Sequence, residues 1–414
     1  MAAVNGSRRR LQPGARAQST GARASVQAAD YRTFVSRLSY VEITGLAGRS
    51  EPFRHEFDPR LDVFFGLNGS GKTSLLKMLY SALRNEADLL HRIAFKTAEV
   101  RFYSHDRDYE ITRRIDKSQL VSSTQRRRAG TVVHYGEYQV PRSIEPHPWS
   151  SDPDTDVGPF RVSYLPISRM YWDPRGIDQL REYDRPSFSE SALDERFAQQ
   201  LTQSWYRYSN QLLADVRGIQ QNGLVGILRS LLTGNQQEGG SSPLDARLAF
   251  QKASAFLQRQ GSKLPGSEKS FAQKYQQDAR LRSVVDDIDE IERRIESAEM
   301  PRRNLQRLVD DFNATSKDIV FGDREIEVKI AGGESIQLSA LSSGEKQLLK
   351  ILVETLDAEE SVMLIDEPEL SMHIDWQRQL VGAMQTLNPA AQLILATHSP
   401  EIMALVPDQR IRQL

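Results

Sequence analysis

The sequence predicts an α/β fold in which a mixed central sheet is built around a phosphate loop and is split by a mainly helical insertion. Three observations predict it. A short apolar run, Leu61–Phe65, ends in a glycine-rich turn and passes directly into a helical apolar pattern (Leu75, Leu76, Met78, Leu79, Leu83). Two later apolar runs, Ser361–Ile365 and Ala391–Ala396, are separated by a helical stretch and end in polar, chemistry-bearing residues. Between these parts, from Ser189 to about Glu299, the chain changes to a helical period.

The totals bound the problem. At 414 residues the chain is longer than one average domain. A net charge of −1 gives no global attraction for nucleic acid or an anionic membrane, so any basic surface must be local. The absence of cysteine excludes disulfides, a thiolate nucleophile and cysteine-ligated metal, and it fits a reducing, cytoplasmic compartment. No apolar run approaches the length of a membrane span, which predicts a soluble chain without membrane partners.

In chain order, residues 1–30 carry Arg8, Arg9, Arg10, Arg16 and Arg23 with almost nothing apolar to bury, and predict a disordered basic tail. Such an arm can also read as a transit peptide or a contact for nucleic acid. Residues 31–185 form the N-terminal lobe of a head. Its strands are Leu38–Thr44, Phe53–Phe57, Leu61–Phe65, a hairpin of Ala98–Ser104 with Tyr109–Arg114, Thr131–Val140 and Val162–Leu165. The stretches Ser118–Gly130 and Pro141–Pro159 are connections by composition. Residues 186–315 are the helical insertion, with helices over Leu193–Ala214, Leu224–Leu232, Leu244–Gln260 and Phe271–Ser297, a break at Pro301 and one further short helix around Leu305–Phe312. Leu281, Val284, Ile288, Ile291 and Ile295 form an apolar seam too short for a long coiled coil, which predicts an arm packed on itself or on the head. Residues 316–414 return to the head, with short strands at Ile319–Phe321, Glu325–Ile330 and Ser335–Leu338, helices over Gly344–Thr355 and Trp376–Thr386, and the two buried strands.

The first motif is Gly66-Leu67-Asn68-Gly69-Ser70-Gly71-Lys72-Thr73, followed by Ser74, with a strand before it and a helix after it. Backbone amides unobstructed at Gly66, Gly69 and Gly71 can wrap a polyphosphate, and the side chains of Asn68, Ser70 and Ser74 line the same turn. Lys72 reaches terminal phosphates and the Thr73 hydroxyl suits Mg2+. The second motif is Asp366-Glu367 at the carboxyl end of an apolar strand, where ligands of parallel sheets sit. Asp366 is expected to hold a magnesium-bound water, and Glu367 to polarise an attacking one. The third is His398, one buried strand further on, able to hydrogen-bond a γ-phosphate or the attacking water. The fourth, Leu341-Ser342-Ser343-Gly344-Glu345-Lys346, opens a helix; it reads equally as an anion site and as a Ser342/Glu345 capping box.

Together GLNGSGKTS, LSSGEKQ, MLIDEPELSMH and LILATHSP resemble the ATP-binding-cassette class of P-loop ATPases, over roughly residues 35–85 and 335–405. More narrowly they resemble the soluble branch that holds the structural-maintenance-of-chromosomes (SMC), RecF and overcoming-lysogenization-defect (OLD) ATPases, with DEPELSMH and ATHSP most similar to OLD-like antiphage-defence ATPases. The resemblance implies an ATP- and Mg2+-dependent ATPase whose heads meet head-to-tail as a homodimer or larger homo-oligomer. It implies that Ser342, Ser343, Gly344 and Glu345 close in trans on a partner's ATP, and that Glu369 and Ser371 belong to a D-loop lining that interface. Pro166-Ile167-Ser168-Arg169 stands where a Q-loop glutamine is expected, and no clear one is present. OLD nucleases continue into a Toprim domain; Ser399–Leu414 is too short for one, so a separate effector, a nuclease or toxin, is expected to supply any cleavage. Glu327-Val328-Lys329 near Asp318 and Asp323 reads as alternating charge on an exposed strand rather than as a nuclease site.

The expected role is a defence-system sensor or scaffold ATPase controlling that effector. The alternative is a DNA-repair or chromosome ATPase of the RecF or SMC type, with nucleic acid as partner. A transporter subunit calls for a clear Q-loop glutamine and a smaller insertion, and a non-hydrolysing module leaves Asp366-Glu367 without a purpose.

Overall fold

The computed structural model describes residues 36–118, 120, 148–154, 158–166, 190–233, 245–259, 261–312, 317–330 and 332–414. The basic tail, the strand expected at Thr131–Val140, most of the Ser118–Gly130 loop, the Gly234–Ser242 break and Ile167–Arg169 lie outside these residues.

The head opens with β1 (Ser36–Thr44), β2 (Phe53–Glu56), β3 (Leu61–Phe65), α1 (Lys72–Arg84), β4 (Thr97–Ser104), β5 (Tyr109–Asp116), β6 (Ser150–Asp152) and β7 (Val162–Leu165). The insertion contributes α2 (Glu190–Thr233), α3 (Ala246–Arg259), α4 (Glu268–Gln277) and α5 (Ala279–Phe312). The chain returns through β8 (Lys317–Phe321), β9 (Ile326–Ile330), β10 (Ser335–Ile336), α6 (Ser343–Asp357), β11 (Val362–Asp366), α7 (Ile374–Leu387), β12 (Gln392–Thr397), α8 (Pro400–Met403) and β13 (Ile411–Gln413). The α/β class with a helical insertion is the one the sequence predicts. No helix among the described residues is long and apolar enough to cross a membrane.

The parallel and antiparallel strands are segregated. The central sheet runs β13-β3-β12-β11-β7, and every neighbouring pair in it is parallel. The antiparallel strands form two further sheets, β2-β1-β4-β5-β6 and β10-β9-β8. β11 and β12 are buried at every position, as strands covered on both faces must be. Their side chains alternate between two cores. Met363, Ile365, Leu393 and Leu395 meet α6 and α7 through Leu348, Leu352 and Leu380. Val362, Leu364, Ile394 and Ala396 meet Leu75 and Leu79 of α1 and, beyond them, Val41, Val100 and Phe102 of the antiparallel sheet. The buried amide of Gln392 joins the two sheets: its Oε1 accepts from Leu38 N (2.8 Å) and its Nε2 donates to the carbonyls of Leu38 (2.9 Å) and Asp58 (2.8 Å).

The insertion differs from its sequence pattern at three places, each with a physical cause. The two segments expected within 193–232 are one 44-residue helix, α2. Glycine inside a helix costs about 1 kcal/mol against alanine, but Gly223 makes room for α5, since a Cβ there would lie 2.4 Å from Ile291 Cδ1. The helix expected from Phe271 to Ser297 breaks at Asp278, whose Oδ1 accepts from the amides of Arg280 (2.8 Å) and Leu281 (3.4 Å) and so starts α5. The break expected at Pro301 is absent: α5 runs through it. Proline removes one helical bond; buried Ile295, Leu305, Val309 and Phe312 hold both sides in place, and Arg302 donates to Phe321 O (2.7 Å).

The arm has two cores. At its root Leu201, Trp205, Leu305, Val309 and Phe312 join the head core. Farther out, Ile227, Phe256, Phe271, Tyr275, Ile288 and Ile291 form a separate one. Three polar contacts bind the root to α6: Lys346 Nζ to Asp194 (2.5 Å), Ser204 Oγ to Glu354 (2.8 Å) and Arg207 Nη2 to Asp357 (2.9 Å).

Candidate nucleotide site

β3 delivers the phosphate loop to the carboxyl edge of the central sheet. The turn needs its glycines. Gly69 (φ 85°) and Gly71 (φ 105°) adopt left-handed conformations, and a Cβ on Gly66 would stand 2.5 Å from the Leu414 carbonyl. Gly71 is the N-cap of α1 and offers no side chain to its first amides, which leaves them for an anion. Lys72 is only 5% exposed; its Nζ donates to the carbonyls of Gly66 (2.8 Å) and Leu67 (3.2 Å). Its ammonium is therefore held over the turn its own backbone makes. The Ser70 hydroxyl is buried without a hydrogen-bond partner among the described residues, and the Ser70 carbonyl accepts from Arg49 (3.2 Å).

Asp366 closes β11 and is 1% exposed. Burial pushes its carboxyl up to about 6; Thr73 opposes this, neighbouring Glu367 adds to it, and Lys77 and Lys72 lower it. The Thr73 hydroxyl is thus near enough to act on Asp366, yet neither carboxylate oxygen takes an aligned hydrogen bond among the described residues. Two buried oxygens without donors, beside a hydroxyl and two lysines, form an environment that a hard divalent cation bound to phosphate completes. Sequence reasoning passed over Lys77, although it stands four residues after Thr73 and so on the same face of α1.

Glu367 begins a turn in the left-handed region (φ 47°), with its amide donating to the Ala396 carbonyl (2.7 Å). His398 follows β12, half exposed, its Nδ1 3.6 Å from Glu367 Oε1 and 3.2 Å from Glu369 Oε1. The fold thus brings together the phosphate loop, the Asp366-Glu367 pair and His398 from segments hundreds of residues apart.

The LSSGEK turn lies elsewhere on the head, against the segment after β11. Ser342 is the N-cap of α6 in a complete capping box: its Oγ accepts from Glu345 N (3.3 Å) and its N donates to Glu345 Oε2 (2.6 Å). Lys317 also holds Glu345 (2.8 Å), and this set of donors keeps that carboxyl low against the effect of burial. Gly344 is buried, and a Cβ on it would lie 2.5 Å from the Ser371 carbonyl. Ser342 and Ser343 are exposed. Ser371 is left-handed (φ 60°). Glu369, assigned from sequence to an interface-lining segment, is turned inward and is 5% exposed.

A family model described as "AAA domain, putative AbiEii toxin, Type IV TA system" matches residues 177–404, more than half of the chain, starting downstream of the phosphate loop. Among curated proteins, the chain is similar to "Retron Vc95 probable ATPase" of Vibrio cholerae serotype O1 biovar El Tor, with 33% identity over 96 residues. That match covers 20% of this chain and about a fifth (19%) of the relative's length. Among solved structures, the Smc head bound to the C-winged helix domain of ScpA is 14% identical, with 89% of this chain and 91% of that chain covered and a TM-score of 0.41. The SMC head domain from Thermotoga maritima is 12% identical over the same shares, with a TM-score of 0.36.

Proposed function

The chain belongs to the AAA-domain family whose model it matches, and from that premise we propose that it is an ATP-binding and ATP-hydrolysing P-loop ATPase of the OLD-like soluble branch. The observation that carries this reading is the buried carboxylate of Asp366, set beside Thr73 and Lys72 and without an aligned hydrogen bond on either oxygen among the described residues. The phosphate-loop amides and the first turn of α1 hold the polyphosphate, with Gly66, Asn68, Gly69, Ser70, Gly71 and Ser74 lining it and Lys72 turning from its loop carbonyls onto the terminal phosphates. Thr73 and Asp366 hold Mg2+, which when bound supplies neutralisation of phosphate charge. Glu367 accepts a proton from the attacking water, and His398 senses the γ-phosphate from the adjacent strand end.

The exposed Ser342 and Ser343 face outward for a partner head's nucleotide, so two copies close around ATP and hydrolysis resets the assembly. In the cell the ATPase senses or scaffolds, and it governs a separate nuclease or toxin within an antiphage defence system. The retron relative and the toxin–antitoxin description of the family support that role over DNA repair.

Size-exclusion and ATP turnover of Glu367→Gln and Lys72→Ala test the site. Glu367→Gln is expected to bind ATP, lose at least about 100-fold in turnover and accumulate as an ATP-bound assembly. An unchanged profile together with wild-type turnover rejects the role given to Glu367. Hydrolysis stimulated by duplex DNA, with a steep salt dependence, would instead support the repair reading.

A further inference from the structure

We propose that Glu369 is a positioning residue for hydrolysis: it holds His398 and the end of β12 in register with Glu367, rather than lining a subunit interface. This rests on the hydrolytic reading above. A carboxylate as buried as Glu369 needs donors, since an unpaired charge out of water is costly. Its donors all come from one tripeptide. Oε1 accepts from Thr397 Oγ1 (2.7 Å), His398 N (2.9 Å) and Ser399 N (3.2 Å), and it lies 3.2 Å from His398 Nδ1. Oε2 is buried and takes no hydrogen bond among the described residues.

The convergence of a hydroxyl and two successive amides on one oxygen fixes the path of the backbone at 397–399. The same oxygen lies 3.2 Å from His398 Nδ1, which favours the ring orientation that keeps this nitrogen towards the two glutamates. Glu367 is tied to the same strand end from the other side, through its amide on the Ala396 carbonyl (2.7 Å). The turn from Asp366 to Glu369 is therefore stitched to β12 at both of its ends, and His398 Nδ1 lies within 3.6 Å of both glutamates. Gln377 of α7 backs the arrangement: its Oε1 accepts from Ser399 Oγ (2.7 Å) and its Nε2 donates to Met372 O (2.9 Å). A residue serving only the stability of this turn would have no need to contact the ring. An interface residue would not be sealed from solvent.

The test is a double-mutant cycle on the full chain, using Glu369→Gln, which keeps shape and acceptor but removes charge, and His398→Ala. Glu369→Gln is expected to leave the KM for ATP within about twofold while lowering kcat about tenfold or more, the signature of lost positioning. In the His398→Ala background the same change is expected to cost no more than about a further twofold. Losses that multiply, or a raised KM with kcat intact, overturn the proposal. Loss of the ATP-dependent assembly by Glu369→Gln overturns it in favour of an interface role. A wild-type protein that binds ATP without turning it over sinks the hydrolytic reading instead. The tie is then read directly by NMR in Glu369→Gln: the His398 and Ser399 amide and ring resonances must move, and unmoved resonances overturn it.

Discussion

Two helices of this head begin at small residues and treat their first amides in opposite ways. α1 starts at Gly71, whose lack of a side chain leaves the helix end uncapped. α6 starts at Ser342, which with Glu345 satisfies its own end reciprocally, and Lys317 reinforces the glutamate. Both read as anion sites from sequence. The difference teaches that a helix end can offer its amides to a ligand only where the chain leaves them uncapped, as at the phosphate loop; at α6 only the exposed Ser342 and Ser343 side chains are left to meet a partner. The uncapped end lies at the same edge of the sheet as the buried Asp366, whose carboxylate oxygens take no aligned hydrogen bond among the described residues. The second helix end is self-sufficient and presents only its exposed serines.

Four changes break or sharpen that contrast, the largest first. Lys72→Ala is expected to weaken ATP binding by about 100-fold or more, since a buried ammonium that turns from its loop carbonyls onto phosphates is worth several kcal/mol when desolvated; titration with a fluorescent nucleotide checks it. Asp366→Asn is expected to abolish magnesium-dependent binding while making the nucleotide-free protein more stable. The sign follows from its raised carboxyl. The folded state holds a proton up to about pH 6 and the unfolded chain only to about pH 4, so the destabilisation is fully present above pH 6 and is relieved as pH falls towards 4. The gap amounts to roughly 1–3 kcal/mol at pH 7.5. Urea denaturation of the two proteins between pH 4 and 8 isolates it, because a difference that stays flat across that range rejects the account.

Gly344→Ala comes next. Its methyl would press on the Ser371 carbonyl, so a loss of about 1–3 kcal/mol is expected, read from the denaturation midpoint. The smallest effect belongs to Ser342→Ala, which removes a cap and is expected to cost about 1 kcal/mol. If turnover falls by far more than this loss of stability explains, the exposed serine does more than cap its helix.

The strands that present the proposed site were legible because β3, β11 and β12 are short, apolar and buried, and each is followed by polar residues. Lys72, Thr73, Asp366, Glu367 and His398 could all be named from spacing. The separation of parallel from antiparallel strands was not legible, since pairing partners are chosen over hundreds of residues. β13 escaped notice because Ile411–Gln413 is short and polar, and its only signal is a backbone ladder with β3. The inward course of Glu369 follows a left-handed Glu367 and ends on donors from 397–399, a pairing that no pattern of residue types announces. Pro301 misled for the opposite reason: local preference favoured a break, and burial on both sides overrode it.

The arm's two long helices have a mechanical consequence. At 1.5 Å per residue, the stretch of α2 beyond Arg207 runs to Thr233 and carries its far end about 40 Å past the contacts with α6, so a tilt of roughly 5° at its root sweeps that end through about 3.5 Å. The fulcrum is the trio of contacts that couples Asp194, Ser204 and Arg207 to α6. Such a geometry magnifies a sub-ångström adjustment at the pivot into a displacement the size of a side chain at the periphery, and it converts a push on the periphery into high leverage on the pivot.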